Sequence, residues 1–87
     1  MATVLVPTML RSLCDGAARM DAPGGTLDEV LRAADRRFPG FYARVVDAGT
    51  VRPELAVAVD GEASGFSLHE PVPPDAEVAI IPAISGG

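Results

Sequence analysis

The sequence contains no lysine and no tryptophan, and only one cysteine and one histidine among its 87 residues. Each shortage excludes a class of chemistry. Binding along a phosphate backbone needs clustered basic side chains, whereas the basic residues here are seven arginines scattered through a chain of net charge −5. A folded protein partner with a basic or apolar face is therefore expected, and nucleic acid is not. Cys14 alone cannot form an internal disulfide, and Cys14 with His69 falls short of a structural zinc site or a four-cysteine iron–sulfur site, so no metal is expected. The opening residues 1–7 are apolar but lack a basic leader, and Pro7 ends them far short of a signal peptide or membrane span. A cytoplasmic protein with no membrane attachment is the expectation.

The residues that are abundant describe a small domain. Hydrophobic residues make up 48% of the chain, enough for one compact domain with a modest core. Nine glycines and eight prolines keep the regular elements short and joined by turns, which favours several strands with a helix. Residues 3–6 are β-branched and apolar up to Pro7 and read as a first strand. Residues 8–25 are mixed, and a turn followed by a weak edge strand over 17–21 is expected there. Thr26 is placed to cap a helix, with Glu29 three residues on completing a capping box. Leu27, Val30, Leu31, Ala34 and Phe38 follow at helical spacing as one apolar stripe. Asp28 and Glu29 near the start, Arg36 and Arg37 near the end, and an Asp28–Arg32 pair on the solvent face all suit that helix. Pro39-Gly40 stops it, and Phe41, Val45 and Val46 predict a further helical turn before Gly49.

From residue 55 the period changes to two. Leu55, Val57 and Val59 share one face, while Ala56, Ala58 and Asp60 share the other. Asp60-Gly61 predicts a turn with positive φ, with a short strand over 63–66 pairing back as a hairpin. Residues 68–75 hold three prolines and read as a rigid surface loop. A last strand over 77–81 points Val78 and Ile80 inward and Ala79 and Ile81 outward. The resulting order suits an α+β fold. A β-grasp (ubiquitin-like) arrangement is expected, with a mixed four- to five-stranded sheet and one main helix across one face. The first and last strands would lie side by side in the middle, where parallel pairing agrees with their apolar content. Residues 1–82 would form this domain and 83–87 an extended tail.

The tail ends in Gly86-Gly87. Read with the opening Pro7-Thr8-Met9-Leu10-Arg11, the ending Pro82-Ala83-Ile84-Ser85-Gly86-Gly87 resembles the MoaD/ThiS family of sulfur carriers. It is similar to the CysO-type branch in its Pro-Thr-x-Leu-Arg opening and Pro-Ala-x-x-Gly-Gly ending. The likeness spans nearly the whole chain, although residues 12–25 and 47–54 carry no recognisable motif.

The resemblance implies a carrier acted on by other proteins and not an enzyme, with no catalytic residue and no bound cofactor. An E1-like adenylating enzyme would use ATP to activate the Gly87 carboxylate, a sulfur donor would convert it to a thiocarboxylate, and a downstream synthase would accept the sulfur. The pathway stays open among cysteine, secondary-metabolite, molybdopterin and thiazole types. Gly87 would be the adenylation and thiocarboxylate site, with Gly86, Ser85 and Ile84 needed to thread the tail into the partner. Five extended residues reach about 17 Å. Glycines leave the acyl carbon unhindered because they lack a Cβ. The segment Ala22-Pro23-Gly24-Gly25-Thr26 lacks the lysine and spacing of a phosphate cradle, so ATP is not expected to bind this chain.

Ala56, Ala58, Ala79 and Ile81 would form a shallow apolar docking patch on the sheet face opposite the helix, or an ordinary exposed face. Cys14 reads as a small buried hydrophobe or an idle loop residue in preference to a reactive thiol, and His69 as solvated. Two other functions compete. One is a protein modifier conjugated through Gly87 to target lysines; the other is a non-covalent ubiquitin-like interaction module in which Gly-Gly has no role.

Overall fold

The strands, helices and turns follow from how the chain satisfies its backbone while hiding its apolar side chains. The computed structural model describes residues 1–62 and 67–82. A four-stranded sheet has the order β2-β1-β6-β5, built from β1 (Ala2–Leu5), β2 (Arg19–Ala22), β5 (Leu55–Val59) and β6 (Glu77–Pro82). β1 and β6 are parallel and central, in the register Thr3↔Glu77, Val4↔Val78 and Leu5↔Ala79. The two outer pairs are antiparallel. Val4, Val78 and Ile80 are buried on the helix side, in keeping with the burial that a central parallel pair requires. The mixed sheet with one main helix is the expected β-grasp.

Helix α1 (Leu27–Arg37) presents Leu27, Val30, Leu31, Ala33 and Ala34 to the core. Its start is well satisfied. Thr26 Oγ1 accepts from the Glu29 N–H at 3.2 Å, and Glu29 Oε1 reaches back to the Gly25 N–H at 2.7 Å. The Leu27 and Asp28 N–H groups donate to the carbonyls of Glu70 and Leu68 at 2.9 and 2.8 Å. A distant loop thus takes up two of the donors that every helix start leaves free. That loop is less superficial than its prolines suggest, because Leu68 and Val72 are buried in the core. Gly24 lies so close under the first turn that a Cβ there would stand 2.7 Å from the Val30 nitrogen. Only glycine fits.

The regions without clear periodicity hold short elements. Thr8–Leu10 forms a 3₁₀ turn, and the edge strand begins at Arg19 instead of 17. Phe41–Val45 forms the expected second helix, α2, with Phe41 and Val45 fully buried. Val46 leaves the helix and opens a two-stranded ribbon, β3 (Val46–Asp47) with β4 (Thr50–Val51). Its turn uses Ala48 and Gly49 at φ of 54° and 79°, the mirror-image geometry that suits a tight hairpin. Asp60 and Gly61 also have positive φ and close a two-residue turn through reciprocal Val59–Glu62 hydrogen bonds at 3.0 Å. The strand expected over 63–66 lies outside the described residues. Pro82 extends β6 by one residue opposite Leu55, which proline tolerates because it is the last ladder position.

Candidate functional site

The sheet topology decides what lies beside the end of β6. Because β6 is central and runs parallel to β1, its end at Pro82 lies beside the segment that follows β1. Pro7, Thr8, Met9 and Arg11 form one wall of a groove of about 500 Å³ whose other wall includes Ile81 and Pro82. Met9 and Ile81 are 54% and 38% exposed, two of the three large apolar side chains left open among the described residues. Arg11 is held at the groove by a 3.2 Å hydrogen bond from its Nε to the Val6 carbonyl. The sequence singles out the Pro7–Arg11 stretch for its family likeness but not as a surface. An exposed Met9 flanked by polar Thr8 and Arg11 is the signal that could have marked it. Ile84, Ser85, Gly86 and Gly87 lie outside the described residues.

The four residues of the candidate docking patch share the face away from α1. Ala56 pairs with Ile81 and Ala58 with Ala79 across β5 and β6. Ala56 and Ala79 are half-buried and Ile81 is exposed, whereas Ala58 is 8% exposed. Ala58 is thus a correction to an open four-residue patch: its single methyl is recessed and offers little surface. Leu5, half-buried and paired with Ala79, extends the same apolar strip onto β1. The strip leads to the groove at Pro82.

Other candidate groups are not gathered here. Cys14 is fully buried in the core, where burial, reinforced by the charge of Asp15, pushes its thiol pKa up. His69 is exposed in the loop that covers the start of α1. The Asp28–Arg32 pair forms at 2.8 Å and includes a third member missed in the sequence. Tyr42 donates its hydroxyl hydrogen to Asp28 Oδ1, and the Arg32 guanidinium lies 4.4 Å from the Tyr42 ring centre. Among the described residues no group of three or more His, Cys, Asp and Glu is placed to hold a metal ion, and no helix is long and apolar enough to cross a membrane.

Comparison with known proteins agrees with this geometry. Residues 4–87 match the ThiS family. The chain is 30% identical over 90 residues to the sulfur carrier protein CysO of Mycobacterium tuberculosis and of Mycobacterium bovis, covering 98% of this chain and 97% of each relative. Among solved structures it is similar to the Amycolatopsis orientalis BexX/CysO complex, with a TM-score of 0.89, 31% identity and all of both chains covered. Mycobacterium tuberculosis CysO superposes with a TM-score of 0.90 at 26% identity, over 97% of this chain and 100% of that one. SAMP1 from Haloferax volcanii is more distant, with a TM-score of 0.72 at 28% identity over 99% of this chain and 98% of that one. A match running through the final glycine, on a β-grasp scaffold that delivers its last strand beside an open apolar groove, means that this chain belongs to the ThiS family.

Proposed function

We propose that this chain is a sulfur carrier whose Gly87 carboxylate is adenylated by an E1-like enzyme and converted to a thiocarboxylate that a biosynthetic synthase consumes. The observation that carries the reading is the full-length likeness to sulfur carriers, with the family match extending to Gly87 itself. A carboxylate is a poor electrophile at neutral pH. Activation joins one carboxylate oxygen to the α-phosphate of ATP with loss of pyrophosphate; sulfide then displaces AMP, or a persulfide displaces it and a thiol cleaves the resulting S–S bond to free the thiocarboxylate. The carrier supplies no catalytic group and binds no cofactor; ATP belongs to the activating partner. Gly86 and Gly87 keep the approach to the carbonyl clear, while Ile84 and Ser85 span the distance to the partner's active site. Ala56, Ala79 and Ile81, with Ala58 recessed between them, would meet that partner. The protein would work in the cytoplasm, where ATP and sulfur donors are available.

Intact-mass spectrometry of the protein from its native host tests this. One oxygen exchanged for sulfur is expected, and a chain lacking Gly86 and Gly87 should show no exchange. Covalent adducts to other proteins would instead favour a modifier, the role printed in the name of the related small archaeal modifier protein 1 of H. volcanii. Neither state, even after incubation with the cognate activating enzyme and ATP, would sink both readings.

A further inference from the structure

We propose that the end of the molecule from which the tail emerges is kept free of reactive amines and thiols, so that an activated Gly87 is reserved for sulfur and cannot acylate its own carrier. The inference rests on reading Gly87 as the activated residue. An acyl-adenylate or thioester reacts readily with a primary amine: the amine nitrogen forms a C–N bond to the Gly87 carbonyl carbon, the bond to the leaving group breaks, and the nitrogen loses a proton to solvent. The amide that results cannot be converted back under the same conditions. Such a carrier would be lost to sulfur transfer.

The amines, the thiol and the imidazole of the chain are each disposed against that outcome. No lysine is present and all seven basic side chains are arginines. Their guanidinium groups remain protonated and delocalised, and so are poor nucleophiles. Arg11 is the informative one, because it lines the same groove as Pro82, five residues before Gly87. A lysine there would put an amine within the tail's own reach.

The α-amine of Met1 is held 3.3 Å from Asp75 at the opposite end of the sheet. In the parallel register Thr3 faces Glu77, so Met1 lies about 23 Å along the strands from Pro82 at ~3.3 Å per residue. The five-residue tail reaches only about 17 Å. Cys14, the single thiol, is fully buried. His69 is in the loop that covers the start of α1, near the Met1 end, where Met1 and Ala2 share a cavity with Pro23 and Gly24.

The test uses a C-terminal thioester of the full chain made by intein thiolysis, which needs no activating partner and so can fail or succeed independently of the carrier reading. The variants are Arg11→Lys, Met9→Lys on the same groove, and His69→Lys at the far end, each checked for folding by circular dichroism. At about 50 µM protein and mildly alkaline pH, a tethered amine at an effective concentration of ~1 mM should give about twentyfold more amide than an intermolecular amine. Amide is read as thioester lost without hydrolysis and located by peptide mapping. Arg11→Lys or Met9→Lys should form the internal amide, with wild type and His69→Lys at the low background. Self-acylation of the wild type, or equal amide from groove and far-end lysines, would overturn the proposal. If Arg11→Lys does not fold, having lost its bond to the Val6 carbonyl, Met9→Lys decides the matter, since Met9 is exposed.

Discussion

Asp28 shows how much one side chain can join. It accepts from the Tyr42 hydroxyl and from Arg32 Nε, so it ties α1 to α2 across a partly exposed surface. The hydrogen bond from Tyr42, followed by that from Arg32, holds the Asp28 carboxyl below its usual range. Burial, followed by the bond to Asp28, pushes the Tyr42 phenol up. The linkage signs differ at the two ends of the pH scale. A lowered folded-state pKa gives stability that is complete above the unfolded value of about 3.9 and is lost as pH falls through the folded value; a raised one gives stability that is complete below the unfolded value of about 10 and is lost as pH rises. Tyr42→Phe should therefore be most destabilising relative to wild type between these limits, and the difference should shrink toward acid and alkali. Urea titrations across pH measure this directly, and a difference independent of pH would show that the lost contact is packing alone.

At the scale of elements, the start of α1 is the place where local and distant chain cooperate. Thr26 supplies one of the caps, while the 68–72 loop supplies carbonyls to the two preceding donors. Thr26→Ala leaves the Glu29 N–H without its partner and should cost about 1 kcal/mol. For a domain of this size that is a fall of about 4–8 °C in Tm by calorimetry, and Thr26→Ser should recover most of it. This helix was legible in the sequence because cap, stripe and stop signals agree on it. The two central strands were legible because their inward faces are continuously apolar. What stayed illegible depends on tertiary contact. The β3–β4 ribbon has only four paired residues and turns on Ala48-Gly49, where the alanine gives no warning of a positive φ. The buried Leu68 and Val72 were masked by neighbouring prolines. Tyr42 is fourteen residues from Asp28, and nothing in local spacing announces their bond. At the site, outward Ala56, Ala79 and Ile81 followed from period two, but the recessed position of Ala58 and the groove beside Pro7 and Met9 required the sheet to be assembled first.

For the molecule as a whole, the proposed function would divide a packed domain from a reacting end. β1 holds β6 as far as Ala79 and β5 holds it as far as Pro82, and the apolar strip from Leu5 through Ala79 to Ile81 runs up to that end. On the proposed function, a partner that grips the strip would receive Gly87 from a fixed origin at Pro82. This predicts that affinity and chemistry can be damaged separately. Ile81→Asp adds a charge to the strip without disturbing the core, since Ile81 faces away from α1 and is already exposed. Its Tm should change by no more than a few degrees. Adenylation by the activating enzyme should lose about tenfold or more in kcat/KM, the scale expected for truncating an interface contact worth more than 1 kcal/mol. The loss should appear mainly in KM, because the interaction is made equally before and during the reaction. If Gly87 is activated as proposed, removing it should do the opposite, leaving binding of the folded domain nearly intact while abolishing turnover, because the terminal carboxylate would fall one residue short of its place. Pyrophosphate exchange for turnover and a binding assay for the domain read the two effects independently. If Ile81→Asp bound and reacted like wild type, the sheet face would be an ordinary solvent surface and the partner's grip would have to lie in the groove and tail alone.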